Sequence, residues 1–171
     1  MKLAKASSIA EFGIAFLVMA FILIAASTIV GRAQSDPVVG IWKLNLGKSK
    51  FNPGPPPKNL TRTYESIRNG VKVTIEGVDG FNNPIKYRYS ANYDGKDYPV
   101  TGVGVPGDAD VIALMRVDII FTVEETLKHA GKVIFTARRV VSQNGKVLTF
   151  TAKGTNVTSQ PANNVTVYDK Q

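Results

Sequence analysis

The chain has no cysteine and one histidine, His129, among 171 residues. Without cysteine there is no disulfide framework, no thiolate metal site and no thiol nucleophile. A lone histidine excludes a His-rich metal cluster and leaves few routes to a histidine-based triad. The serines Ser49, Ser66, Ser90 and Ser142 lack the Gly-x-Ser-x-Gly setting of a nucleophile elbow. Gly102-Val103-Gly104 lacks the strand–turn–helix setting of a phosphate loop. Asp108-Ala109-Asp110 has only Asp118 nearby and no EF-hand spacing, so it reads as turn chemistry rather than a calcium site. His129 adjoins the Ala130-Gly131 turn and reads as a solvated loop residue rather than a general base. No catalytic residue, metal or cofactor is expected, and an enzyme is the weakest functional class.

A clustered basic surface is also missing. The chain carries 21 basic and 13 acidic residues, yet no run of five or more basic residues. Its positive side chains fall one or two per strand, with Thr, Ser or Glu between them. A nucleic-acid footprint needs clustering on one face, so solvated strand faces are the better reading and no nucleic-acid partner is expected.

Charge is scarce at the N-terminus. Lys2 and Lys5 precede the uncharged run Phe12–Val30, rich in Ala, Ile, Leu, Val and Phe, and Gly31-Arg32-Ala33 follows. A basic start, an apolar middle and small residues at the −3 and −1 positions form the pattern of a secretory signal. Residues 1–33 are therefore read as a signal peptide, with export to a periplasmic or secreted location. The run of 19 residues also approaches the ~20 needed to span a bilayer, and Glu11 sits just before it. The second reading is an uncleaved anchor, which would be the protein's one contact with a membrane. Either way residues 34–171 form a single domain outside the cytoplasm. Removing three basic residues (Lys2, Lys5, Arg32) and one acidic residue (Glu11) leaves that domain at +6. Its length suffices for a core of its own.

Residues 34–171 hold no convincing amphipathic helix of 10 or more residues. They alternate with period two instead. Val71, Val73 and Ile75 share one face of their run; Ile85, Tyr87 and Tyr89 share another; Leu148, Phe150 and Ala152 alternate with Thr149, Thr151 and Lys153. β-branched and aromatic residues dominate these runs. Asn69-Gly70, Asp79-Gly80, Asp94-Gly95, Ala130-Gly131 and Asn144-Gly145 supply turns. About ten strands are predicted, near 40–46, 60–68, 71–78, 84–92, 97–102, 110–117, 119–128, 132–142, 146–154 and 163–169. Consecutive hairpins imply an all-β antiparallel up-and-down meander of 8–10 strands, and such a meander loses its open edges by closing into a barrel. The Pro-rich segment 48–58 links the first strand to the rest. It is either a stiff loop across a barrel mouth with Phe51 as a buried peg, or a spacer.

Gly40-Ile41-Trp42 opens the first strand. In this respect the chain resembles the lipocalin and calycin barrels, whose first strand begins Gly-x-Trp. The resemblance implies that Gly40 and Trp42 form a structural barrel end, with Arg138 or Arg139 stacked on the indole. The stretches Gly40–Asn45, Lys48–Phe51, Pro53–Pro55, Tyr93–Val100 and Val167–Gln171 resemble an uncharacterised family of small exported bacterial β-proteins, lipocalin-like in kind. That resemblance implies a barrel and export, and no established activity. The Thr-Asp-Tyr motif of lipocalins is absent, and no helix follows the last strand.

Small closed barrels either fill their interior or hold one ligand. The faces predicted to point inward are mostly apolar, and by parity two arginines share them: Arg62 with Leu60 and Tyr64, Arg116 with Ile112 and Leu114. The candidate ligand contacts are Arg62, Tyr64, Tyr87, Tyr89, Leu114, Arg116 and Phe150. An Arg62–Tyr64 pair can fork onto a carboxylate, as an Arg-x-Tyr pair does in the intracellular fatty-acid carriers, and a buried Arg without an anion is costly. Alternatively Arg62 faces solvent or pairs with Glu65, Glu76 or Glu124. Two functions follow: a barrel binding a small apolar or amphipathic ligand in a cavity of a few hundred Å³, or a cell-envelope structural or interaction protein with a filled barrel.

Overall fold

The computed structural model describes residues 36–118, 121–155 and 161–171. The expected signal or anchor segment and its cleavage site lie outside the described residues. Ten strands run in order: β1 Gly40–Leu44, β2 Asn59–Ile67, β3 Gly70–Val78, β4 Pro84–Asn92, β5 Asp94–Val103, β6 Val111–Arg116, β7 Thr122–His129, β8 Lys132–Val141, β9 Val147–Thr155 and β10 Pro161–Lys170. Each pairs antiparallel with its sequence neighbour. β1 and β10 close the ring through Trp42–Lys170, Lys43–Asp169 and Leu44–Tyr168. The architecture is the closed up-and-down barrel expected from the alternation.

The two-residue period sets which face is buried. Val71, Val73 and Ile75 of β3 have no exposed surface, while Lys72 and Glu76 on the opposite parity face water. β4 buries Tyr87, Tyr89 and Ala91 in the same way, and β9 buries Leu148, Phe150 and Ala152. The outward residues pair across strands: Lys72 meets Glu65 at 2.9 Å and Lys86 meets Glu76 at 3.0 Å. These exposed pairs contribute little stability but fix register.

Three boundaries differ from the sequence expectation, each for a local reason. β1 stops at Leu44 because the Asn45 side chain accepts the Lys48 amide at 3.1 Å and turns the chain into a short 3-10 segment, Leu46–Lys48. Asp94-Gly95 is not a turn between strands. It lies inside β5, where the register with β6 shifts between Asp94 and Asp97 and Gly95 takes a φ of 72°. This bulge lets β5 begin three residues earlier than predicted. The β6–β7 connection is longer than predicted because the Asp118 carboxylate accepts the amides of Phe121 and Thr122 at 2.7 and 2.9 Å.

The two barrel ends are built differently. At the end where β1 enters, Trp42 is fully buried and donates its indole N–H to the Val38 carbonyl at 2.7 Å. Val38 is buried beside it, so the segment before β1 folds into this end and closes it. The expected arginine on the indole is absent: Lys170 Nζ lies 5.1 Å from the Trp42 ring centroid, Arg138 is exposed, and Arg139 stacks on tyrosines instead. Register explains this, since Lys170 is the β10 partner of Trp42. Gly40, with φ 131°, leaves the space that the Lys170 chain crosses to reach the ring.

The opposite end carries the Pro-rich loop. Lys50 bridges Val165 of β10, and the Asn52 carbonyl accepts the Asn163 amide at 2.7 Å. Further along, the Pro55 ring fills the space where a Cβ at Gly80 would sit, in the β3–β4 turn. The loop therefore reaches from β10 to the β3–β4 turn across this mouth, with Phe51 half-buried beneath it.

Candidate functional site: a cavity with a cation in its wall

Beneath the loop is an internal cavity of about 200 Å³, room for roughly seven waters at liquid density. It occupies the mouth half of the barrel. Phe51, Leu60, Ile85, Ile112, Leu127 and Phe135 contribute apolar wall, and Tyr87, Tyr89 and Phe150 line it as well. Its polar lining includes Arg62, Glu125, Asn164, Thr166 and Tyr168.

Arg62 points inward, as parity placed it. Its guanidinium carbon lies 4.3 Å from the Phe150 ring centroid and 5.4 Å from that of Tyr168. It donates Nε–H to the Tyr168 hydroxyl at 3.2 Å and Nη1–H to the Tyr64 hydroxyl at 3.4 Å. It forms no ion pair with a carboxylate among the described residues. Glu65 and Glu76, possible partners on sequence grounds, are held by lysines on the outer wall. Burial acts most strongly on Arg62 and disfavours its charge; the phenol oxygens of Tyr168, Tyr64 and Tyr87 and the Glu125 carboxylate act the other way. The balance leaves its pKa well above the ordinary value, so it is a permanent cation.

Below Arg62 lies a second arginine that strand parity did not single out. Arg139 is 1% exposed and Glu125 is 4% exposed, with Nε to Oε1 at 3.5 Å. Arg139 lies 5.1 Å from the Tyr64 ring centroid and donates Nη2–H to the Tyr93 hydroxyl at 3.2 Å. Arg116 lies 4.2 Å from the Tyr93 ring centroid and pairs with Asp36 at 2.8 Å. Guanidiniums and aromatic rings thus alternate from the closed end to the cavity: Arg116, Tyr93, Arg139, Tyr64, Arg62, Phe150. Each step except the Tyr64–Arg62 hydrogen bond is a cation–π contact, which adds an attraction of ~1–2 kcal/mol where water is excluded. Asp36 neutralises Arg116, and Glu125 neutralises one further guanidinium. The interior around the cavity therefore keeps one net positive charge, with Arg62 the arginine that lines the space.

Of the seven residues predicted to contact a ligand, Arg62, Tyr87, Tyr89 and Phe150 line the cavity. Tyr64 and Leu114 are fully packed and do not reach it; Tyr64 acts on it only through Arg62. Arg116 faces inward but at the closed end, against Asp36. Parity gives the side of a strand and not the height along the barrel. Glu125 and Tyr168 line the cavity and were not predicted, although Val123, Glu125 and Leu127 share one face of their run.

No protein-family model matches the chain, and no curated protein matches it in sequence. Among solved structures, the zebrafish ileal bile acid-binding protein in complex with cholic acid is similar at 12% identity and a TM-score of 0.49, covering 79% of this chain and 99% of that one. The class of the protein rests on its own geometry, an antiparallel ten-stranded closed up-and-down barrel.

Proposed function

We propose that the barrel binds a small amphipathic molecule, its apolar body in the cavity and one anionic group, a carboxylate or its equivalent, on Arg62. The observation that carries this reading is a guanidinium in the wall of a mainly apolar cavity with no ion pair of its own, since Glu125, the carboxylate in that wall, is paired with Arg139. A buried charge is expensive unless paired, and a ligand anion would supply the pair. The planar fork of Arg62 suits two oxygens at once. The cavity volume also speaks against the alternative of a filled barrel serving the cell envelope.

The volume suits a chain of about eight carbons, which sets the probe. Calorimetric titration with octanoate and with 1-octanol separates charge from apolar burial. The reading expects octanoate to bind at least tenfold tighter. Equal affinity for acid and alcohol would remove the role given to Arg62. We further propose that the domain acts after export, on the strength of the apolar run Phe12–Val30 and the Gly31-Arg32-Ala33 site. N-terminal sequencing of protein recovered outside the cytoplasm tests it: a first residue of Gln34 is expected, and Met1 would exclude cleavage.

A further inference from the structure

Three buried polar atoms have no hydrogen-bond partner among the described residues: the Tyr89 hydroxyl, Glu125 Oε1 and Arg139 Nη1. Two of these residues, Tyr89 on β4 and Glu125 on β7, line the cavity from separate parts of the wall. Each is only 4% exposed, so bulk water does not reach them through the outer wall. Leaving such groups unmet costs their full desolvation, and native interiors rarely tolerate it without a partner. Burial first, then the Glu125 charge, hold the Tyr89 phenol well above its ordinary pKa, so Tyr89 keeps its proton and is a donor. Glu125 lines the cavity and its Oε1, which Arg139 Nε meets as an ion pair at 3.5 Å without a hydrogen bond, keeps its capacity as an acceptor.

We infer that Tyr89 and Glu125 form a second polar contact for the same ligand and that they recognise a hydroxyl group. The inference rests on the anion reading of Arg62 and narrows it: the ligand is a hydroxylated acid rather than a plain aliphatic one. An alcohol is the group that fits both partners at once, accepting from the Tyr89 O–H and donating to the Glu125 carboxylate. A second carboxylate would meet Glu125 with like charge. An ammonium would add to an interior that already holds one excess positive charge, and it offers Tyr89 no acceptor. A carbonyl would satisfy Tyr89 and leave Glu125 unmet.

The test compares octanoate with 3-, 5- and 8-hydroxyoctanoate, which move the hydroxyl along the chain. Each is titrated against the native protein and the Tyr89→Phe variant. Because the Tyr89 hydroxyl has no partner to lose, Tyr89→Phe is expected to fold with unchanged or slightly higher stability. At least one hydroxy acid should bind the native protein about fivefold to tenfold tighter than octanoate, the range for one or two well-made hydrogen bonds. Tyr89→Phe should erase that preference, so that no hydroxy acid binds the variant tighter than octanoate does. If octanoate binds and no hydroxy acid binds tighter, the second contact is refuted while the role of Arg62 stands. A preference that survives Tyr89→Phe also refutes it, because the hydroxyl is then held elsewhere. If none of the four acids binds, the anion reading itself fails, and this one with it.

Discussion

Replacing Arg62 with methionine should separate what this residue does for ligand binding from what it does for folding. The side chain now makes two hydrogen bonds of 3.2 and 3.4 Å to tyrosine hydroxyls, each worth about 1 kcal/mol. Its contacts with the Phe150 and Tyr168 rings add about 1–2 kcal/mol. Against some 3–4 kcal/mol of attraction stands the desolvation of a guanidinium, several kcal/mol even after relaxation. Methionine keeps most of the volume, packs against the same rings and carries no charge. The unliganded Arg62→Met protein is therefore expected to be as stable as the native one, or more stable by up to ~2 kcal/mol. At about 3–4 °C per kcal/mol for a domain of this size, that is a Tm rise between zero and ~7 °C. Ligand should favour the native protein. Octanoate at a hundredfold excess over its native Kd should stabilise the native protein by ~2.7 kcal/mol and a variant of tenfold lower affinity by no more than ~1.4 kcal/mol. Thermal denaturation of both proteins with and without octanoate reads all four values. A loss of 2 kcal/mol or more in the unliganded variant would refute the reasoning, because Arg62 would then be a satisfied structural tie rather than a cation awaiting its partner.

Glu125→Gln leaves Arg139 buried without its carboxylate and should cost ~3–5 kcal/mol in chemical denaturation, whereas joint replacement by Glu125→Leu and Arg139→Met should recover most of that loss. Tyr64, Tyr87, Tyr89 and Tyr93 all hold their protons more tightly than free tyrosine, chiefly through burial, with Tyr87 pushed up to about 12. A raised folded pKa on an acid that is neutral when protonated gives stability that is whole below pH 10 and falls as pH rises past it. For Tyr87 the loss reaches about 3 kcal/mol above pH 12. Tyrosinate absorbance should therefore rise together with loss of the barrel's far-ultraviolet signal between pH 10 and 12; full ionisation near pH 10 with the barrel intact would contradict the burial of these rings.

The barrel was legible because its strands follow one strong rule. In Val71–Val78 and Pro84–Asn92 the alternation is clean, and the residues on the apolar parity are the buried ones. Where a side chain competes with the ladder, the rule weakens. Asn45 caps a turn, and Gly95 permits a bulge, so β1 ended early and β5 began early. The site was legible in the same partial way. Arg62 turns inward with Leu60 and Tyr64, one of the two placements that the pattern left open. Height along the barrel carries no sequence signal, which is why Arg116 landed at the closed end while Arg62, Tyr87, Tyr89 and Phe150 met around the cavity. Nor does sequence reveal partners across the interior. Glu124 and Glu125 are adjacent acids; Glu125 shares the parity of Val123 and Leu127, and it is the one that faces Arg139. The cation on Trp42 depended on the β1–β10 register, which brings Lys170 to the ring instead of an arginine.

The central claim is that a part-buried cation without an ion pair, in the wall of a mainly apolar cavity, awaits an anionic ligand. A crystal structure at saturating octanoate tests it most directly. The account predicts the carboxylate within hydrogen-bonding distance of the Arg62 guanidinium, and the alkyl chain inside the barrel beneath Phe51. Octanoate bound only on the outer wall, with Arg62 still held by Tyr64 and Tyr168 alone, would contradict it.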